Sequence, residues 1–141
     1  MPGPPEEPFR PGSDHSTGEL PPGNTILIVE DEEMILDINA DYLGDVGFVV
    51  LTADSQEAAL QLFGDYAEDI DLIVLDYSMP GQPADRFLAR LRKRRGDIPA
   101  IICSGLDIDS VQPILTEHDT FLPKPFLPTQ LAEKISEMLK V

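Results

Sequence analysis

The sequence predicts an α/β protein in which helices cover both faces of a five-stranded parallel sheet. Short apolar runs of strand length alternate five times with segments whose apolar residues recur every three or four positions, as in helices. The first run, Ile26–Val29, is apolar throughout, which is typical of a strand buried on both faces of a parallel sheet. The alternation therefore indicates five right-handed βα units over residues 25–141.

The first helix and the second βα unit follow directly. The helix is predicted from apolar residues at spacings of three and four, which we expect to share one face: Ile35, Ile38, Tyr42 and Val46. Gly47 ends that pattern, and the run 48–51 predicts the second strand. Ser55 is then positioned to cap a second helix that is rich in Ala and Leu.

The last three units are predicted in the same way. A third strand at 70–75 ends at Asp76, and a helix at about 85–95 places Phe87, Leu88 and Leu91 inward. Pro99 opens a fourth strand that runs through Cys103, and a weaker helix is expected at about 110–117. The remaining signals are a short strand around Phe121 and Leu122, and a last helix marked by Leu127, Leu131, Ile135 and Leu139.

The first 24 residues differ in composition from the rest of the chain. They hold half of its 14 prolines and four of its 10 glycines, with almost no aliphatic side chains to bury. Such a segment cannot offset the entropy of ordering, so residues 1–24 are predicted to be a flexible tail or linker. His15 lies in this segment, and we assign it no function because no helix presents it.

Composition limits the classes of partner. The formal charge of −16 opposes binding to nucleic acid or to anionic membranes through this domain, so partners are expected to be proteins. No apolar run approaches the roughly 20 residues that span a bilayer, and the start does not resemble a signal peptide, so we expect a cytosolic protein. The single cysteine, Cys103, lies in an apolar run and is expected to be a buried, reduced thiol.

Polar side chains follow the predicted strands at the points where they end. Glu30 and Asp31 follow the first strand and Asp76 the third, while Ser104 and Lys124 follow the fourth and fifth. The carboxyl ends of parallel strands lie at one edge of the sheet, where α/β proteins bind ligands. Gathered carboxylates repel one another unless a cation neutralises them, and Mg²⁺ is the natural candidate because it prefers oxygen ligands.

This set of residues suits phosphoryl transfer. Asp76 can attack a phosphoryl group while Mg²⁺ neutralises the phosphoryl oxygens. Lys124 supplies a point charge to another phosphoryl oxygen, and Ser104 supplies a hydroxyl donor. Gly105 leaves space beside Ser104 for the group that is transferred.

Four segments resemble response-regulator receiver domains of two-component systems, which have the flavodoxin-like (βα)5 fold. They are Ile-Leu-Ile-Val-Glu30-Asp31-Glu, Leu-Ile-Val-Leu-Asp76-Tyr-Ser-Met-Pro80-Gly81, Ile-Ile-Cys-Ser104-Gly105 and Phe121-Leu-Pro-Lys124-Pro125-Phe126. Each motif alone is weak, whereas the set in the family's order and spacing over residues 25–141 is a strong signal.

The resemblance implies a role for each site residue. Asp76 would be the phosphoacceptor, with Asp31, Asp76 and the main-chain carbonyl of Ser78 on Mg²⁺ and Glu30 acting through water. Ser104 and Phe121 would switch on phosphorylation, and the surface of the fourth helix, fifth strand and fifth helix would change its affinity for a protein partner. The phosphoryl donor would be a sensor histidine kinase or a histidine phosphotransfer domain. The Lys124-Pro125 bond is expected to be cis.

Three positions depart from the family pattern. Gln82-Pro83-Ala84 stands where Met-Asp-Gly is usual, so the loop after the third strand and the start of the third helix are expected to differ. Ser104 replaces the commoner threonine and keeps its hydroxyl. Phe121 lacks the hydroxyl of the frequent tyrosine, which removes a hydrogen bond from the switch.

Other functions stay open to different degrees. The main alternative is a pseudo-receiver, a protein-interaction module of the same fold that is never phosphorylated, although such modules typically lose an acid or the lysine. An aspartate phosphatase would need a second acid where Ser78 stands, and a nucleotide site would conflict with Glu30 and Asp31. The domain is a switch rather than a stand-alone enzyme, and it fits both the C-terminal receiver of a hybrid sensor histidine kinase and a single-domain regulator. Homodimerisation stays open.

Overall fold

The structure is a computed structural model that describes residues 20–141. Residues 1–19, which include His15 and most of the predicted tail, lie outside the described residues. Just before the first strand, Leu20 packs against the core, and the main-chain carbonyl of Asn24 accepts a hydrogen bond from Val49 N–H at 2.8 Å. The described chain thus begins in contact with the sheet.

Five parallel strands form one sheet, which confirms the predicted architecture. The strands are β1 (Thr25–Val29), β2 (Val49–Ala53), β3 (Ile70–Asp76), β4 (Ala100–Ser104) and β5 (Asp119–Pro123). Their order across the sheet is β2-β1-β3-β4-β5. β1 and β3 are thus the inner strands next to the point where the order reverses, and ligands bind at the carboxyl ends of strands at such a point.

Five α-helices cover the sheet in two layers, as predicted. They are α1 (Glu33–Asp45), α2 (Gln56–Tyr66), α3 (Ala84–Arg92), α4 (Ile108–Val111) and α5 (Pro128–Leu139). Residues of α1 and α5 pack on one face of the sheet, together with Ile26 and Ile28 of β1. Residues of α2, α3 and α4 pack on the other face, together with Leu27 and Val29. Side chains of β1 are therefore buried on both faces, as its apolar run indicates.

The predicted inward face of α1 is wrong by about one residue. Leu36, Ala40 and Leu43 are buried, whereas Ile38 is 52% exposed and Val46, beyond the helix, is 49% exposed. Apolar residues lie on two adjacent stripes of this helix, so spacing alone does not decide which stripe faces the sheet. The packing of α1 against the sheet and α5 makes that choice.

The predicted end of the chain also needs two corrections. The helix expected at 110–117 begins earlier and ends after one turn, because Asp107 caps it and Pro113 follows in a 3-10 turn at Gln112–Ile114. Leu127 is the exposed N-cap residue of α5 rather than part of its buried face.

Two arginines at and after the end of α3 bond to neighbouring elements. Arg92 donates to the carbonyl of Ile98 and pairs with the buried Asp119 at 2.6 Å. Arg95 donates to the carbonyls of Ala67 and Ile70, just after α2. These arginines therefore join α3 to two neighbouring elements. Local sequence could not indicate the Arg95 contacts, because both partners lie at least 25 residues away from it.

Ser55 caps α2 as the sequence predicts, and its hydroxyl accepts a hydrogen bond from Ala58 N–H at 3.0 Å. We expect Ser55→Ala to lower the free energy of unfolding by about 1 kcal/mol, because that N–H loses its partner. Urea denaturation measures the change. Ser55→Asp keeps an acceptor and should stay close to the wild type, and an equal loss in both variants would contradict the capping role.

Candidate functional site

The carboxyl edge of the sheet brings the predicted residues together. Glu30 and Asp31 follow β1 directly, Asp76 ends β3, Ser104 ends β4 and Lys124 follows β5. Ladder hydrogen bonds continue past the strand ends. Glu30 N–H donates to the carbonyl of Ala53 at 3.0 Å, and Lys124 N–H donates to that of Ser104 at 2.8 Å. The backbone therefore fixes where these side chains start.

Three carboxylates form a cluster at this edge. Oxygen atoms of Glu30, Asp31 and Asp76 all lie within 4.8 Å of one another. Glu30 and Asp76 are buried, at 4% and 6% exposure, whereas Asp31 is exposed to solvent. Two buried acids and one open acid give a site that has several oxygen donors and an opening to water, which suits a hard divalent cation.

Lys124 bridges the two buried carboxylates. Its ammonium lies 2.8 Å from Glu30 Oε1 and 3.4 Å from Asp76 Oδ2. Burial raises the pKa of Glu30, and the hydrogen bond from Lys124 only partly offsets this effect. Burial would lower the pKa of Lys124, but the hydrogen bond to Glu30 and the charges of Asp76 and Glu30 outweigh it and raise that pKa. Lys124 is therefore a firmly held cation.

Asp76 is oriented by the residue two positions after it. Its Oδ1 accepts hydrogen bonds from both the backbone N–H and the hydroxyl of Ser78, each at 3.2 Å. The family resemblance implies a role for Ser78 only through its main-chain carbonyl and does not indicate this contact of the hydroxyl. A short hydroxyl side chain after an aspartate is a turn signal that could have indicated it. The second oxygen of Asp76, Oδ2, is the one that faces Lys124.

Ser104 ends β4, and Phe121 lies farther back along β5. Ser104 is 2% exposed, and its hydroxyl accepts a hydrogen bond from Leu106 N–H at 3.0 Å. Phe121 is half-buried and packs against the core on the side of α2, α3 and α4.

Cys103 is a buried free thiol as predicted, and burial raises its pKa to about 12. The Lys124-Pro125 peptide bond is cis, as expected.

The unusual loop after β3 has a partner that the sequence did not indicate. The side-chain carboxamide of Gln56, the first residue of α2, bonds the backbone of Gln82 twice. Its nitrogen donates to the Gln82 carbonyl, and its oxygen accepts from Gln82 N–H, both at 2.8 Å. Pro83 then caps α3 without a side-chain hydrogen bond. The expected local difference is thus a contact between this loop and the first turn of α2.

Comparisons with known proteins agree with this geometry. The model of the response regulator receiver domain family matches residues 26–136. The chain belongs to this family. Receiver domains act in two-component phosphorelay signalling, which is therefore the class of process to which this chain belongs.

Solved receiver structures resemble this receiver closely. The receiver domain of the hybrid histidine kinase CckA is 34% identical, with a TM-score of 0.72 over 82% of this chain and 99% of that chain. A receiver domain protein from Clostridium thermocellum is 28% identical, with a TM-score of 0.73 over 83% and 94%. One from Sinorhizobium medicae is 26% identical, with a TM-score of 0.75 over 84% and 96%.

No curated protein sequence gives a significant match to this receiver. Within residues 20–141, the helices are too short or too polar to cross a lipid bilayer.

Receiver domains generally bind Mg²⁺ in an acidic pocket, and the donor set of this receiver fits that ion. The cluster offers carboxylate oxygens from three residues, and Mg²⁺ takes one or two carboxylates together with water and phosphate oxygens. Lys124 neutralises part of the negative charge from the opposite side. A divalent cation would remove the remaining repulsion between Glu30 and Asp76, which raises the pKa of Glu30.

Proposed function

We propose that this receiver accepts a phosphoryl group from a phosphohistidine onto Asp76, in a reaction that requires Mg²⁺. The observation that carries the proposal is the position of Asp76, a buried carboxylate that shares a cluster with Glu30 and Asp31 and lies 3.4 Å from the Lys124 ammonium. A nucleophile, a cation site and a fixed positive charge thus occur together, as phosphoryl transfer needs.

Each residue has a distinct part in the transfer. A carboxylate oxygen of Asp76 forms a bond to phosphorus while the bond from phosphorus to the histidine nitrogen breaks, and the leaving imidazole takes a proton from solvent. Mg²⁺, held by Asp31, Asp76 and the main-chain carbonyl of Ser78 with Glu30 acting through water, would neutralise the phosphoryl oxygens. Lys124 pairs with another phosphoryl oxygen, and Ser104 donates its hydroxyl to a third. Water later hydrolyses the acyl phosphate.

Phosphorylation would then change a protein-binding surface. We propose that Ser104 turns toward the phosphoryl group, that Phe121 moves inward, and that the surface of α4, β5 and α5 changes its affinity for a partner. The α4 part of that surface is a single turn followed by a 3-10 turn, so β5 and α5 supply most of it. The donor is a sensor histidine kinase or a histidine phosphotransfer domain, and this receiver acts in the cytosol.

The requirement for Mg²⁺ gives a direct test of the wild type. We expect acetyl phosphate to add one phosphoryl group when Mg²⁺ is present and none when the metal is removed by chelation, because the carboxylate cluster repels an unneutralised phosphate. Intact mass spectrometry measures the gain. Restoring Mg²⁺ to the chelated sample is the control. No gain with saturating donor and Mg²⁺ would favour the alternative, a pseudo-receiver that acts only by protein contact.

A further inference from the structure

The loop between β3 and α3 leads away from the phosphoacceptor, and its two halves are held differently. At its start, Tyr77 N–H donates to the carbonyl of Cys103 at 2.8 Å, and Met79 is buried. Residues 80–83 are all exposed, so packing holds none of them in place. Hydrogen bonds must therefore restrict this second half of the loop.

Gln56 supplies those hydrogen bonds from another helix. Its carboxamide donates to and accepts from the backbone of Gln82, 26 residues away, with both distances at 2.8 Å. A side-chain amide that bonds both backbone groups of one residue fixes that peptide in position and in orientation. Arg90 of α3 adds a long contact of 3.5 Å to the Gln82 side chain.

The backbone at Gly81 is adapted to this contact. Gly81 has φ +121, a backbone conformation that residues with a side chain rarely adopt. A Cβ added at this position would lie 2.8 Å from Cδ of Gln56. The absence of a side chain at Gly81 thus leaves the space in which the carboxamide of Gln56 lies. Gly81 of the loop and Gln56 of α2 thus form a matched pair.

We propose that Gln56 is a positioning residue for the phosphorylation site, which it affects by holding the β3–α3 loop in the conformation that presents the Ser78 carbonyl to the cation. The inference rests on the proposed function, because Ser78 is a proposed ligand of Mg²⁺. If the loop spends only a fraction of its time in that conformation, the apparent affinity for Mg²⁺ falls by the same fraction. Gln56 does not touch the phosphoryl group and acts only through the loop.

The test substitutes Gln56→Met, which removes both hydrogen bonds but keeps the length of the side chain, its neutral charge and a good helix former. The matched control is Gln61→Met, at an exposed position of the same helix. We expect the dissociation constant for Mg²⁺ to rise about fivefold in Gln56→Met, the factor that corresponds to about 1 kcal/mol of lost hydrogen bonding. Amide chemical shifts of Asp31 and Tyr77 follow the titration.

Two further measurements separate positioning from a general loss of stability. In the metal-free protein, hydrogen exchange of the Ser78 and Met79 amides should be faster in Gln56→Met than in Gln61→Met, while the two variants melt at similar temperatures. A purely structural role would instead lower the melting temperature and leave the Mg²⁺ affinity of the folded protein unchanged, which would overturn the inference.

The remaining outcomes also decide the matter. Equal weakening of Mg²⁺ binding in the two variants would overturn the role of Gln56 and leave the proposed function intact. If the wild type bound no Mg²⁺, the proposed function would fail. The exchange of Ser78 and Met79 would then decide whether Gln56 holds the loop, and equal exchange in both variants would overturn that as well.

Discussion

The Asp76→Asn variant is expected to keep its unmodified mass after incubation with acetyl phosphate and Mg²⁺, whereas the wild type gains one phosphoryl group. The carboxamide is neutral and is a poor nucleophile, so the bond to phosphorus cannot form. The substitution preserves the size of the side chain. Its remaining oxygen can still accept the two hydrogen bonds from Ser78, so we expect the variant to fold. Intact mass spectrometry of both proteins measures the difference.

A second aspartate provides the control for this experiment. Asp97 is exposed in the loop between α3 and β4, at the other end of the sheet from the site. Asp97→Asn changes the net charge by the same amount and should be phosphorylated like the wild type. A mass gain in Asp76→Asn would show that another side chain accepts the phosphoryl group, and Asp76 would no longer be the proposed acceptor.

The Lys124→Met variant is expected to be less stable than the wild type by about 3 kcal/mol at neutral pH without metal, because it leaves the buried carboxylates of Glu30 and Asp76 without their cation. The Glu30 side chain is 6% exposed and the Lys124 side chain 20%, so solvent screens their 2.8 Å contact little. Urea denaturation in the presence of a chelator measures the free energy of unfolding.

A double variant isolates the contribution of the pair. Glu30→Gln in the Lys124→Met background removes one of the two uncompensated charges, that of the residue Lys124 contacts at the shorter distance, and should recover part of the loss. Additive effects of the two substitutions would contradict a direct interaction between Lys124 and Glu30.

The stability deficit of Lys124→Met should also depend on pH. Burial already raises the pKa of Glu30, and loss of the Lys124 hydrogen bond, which lowers that pKa, raises it further. The folded variant then binds a proton at Glu30 more strongly than the unfolded chain does, so its stability rises as the pH falls through the pKa of folded Glu30. A deficit that stays constant with falling pH would count against an unpaired Glu30 as its cause.

Much of the site could be read from the sequence because a parallel sheet imposes it. Strands that are buried on both faces are apolar throughout, so their ends are visible as the first polar residues after each run. Glu30 and Asp76 are found in this way, whereas Lys124 follows a half-buried strand and is indicated by the motif around it. Topology brings the three strand ends together. The fold class and the order of elements followed from the same alternation.

Other features depended on contacts between distant parts of the chain. The sequence placed apolar residues on two stripes of α1, and only packing against the sheet and α5 selected Leu36, Ala40 and Leu43. Propensity gives a weak preference at such positions, and neighbouring elements make the choice. The length of α4 is a different case, because Pro113, which ends the regular helix after one turn, is a local signal that the sequence already contains.

The five βα units and the residues at the carboxyl edge of the sheet follow from the amino-acid order alone, because hydrophobic period and strand ends are local properties. Three contacts could be known only from the folded chain: Lys124 bridges Glu30 and Asp76, Arg92 pairs with Asp119, and Gln56 holds Gln82. Each of these contacts joins residues at least 26 positions apart, so no local pattern records it. Their geometry is fixed by how the helices and loops pack around the sheet.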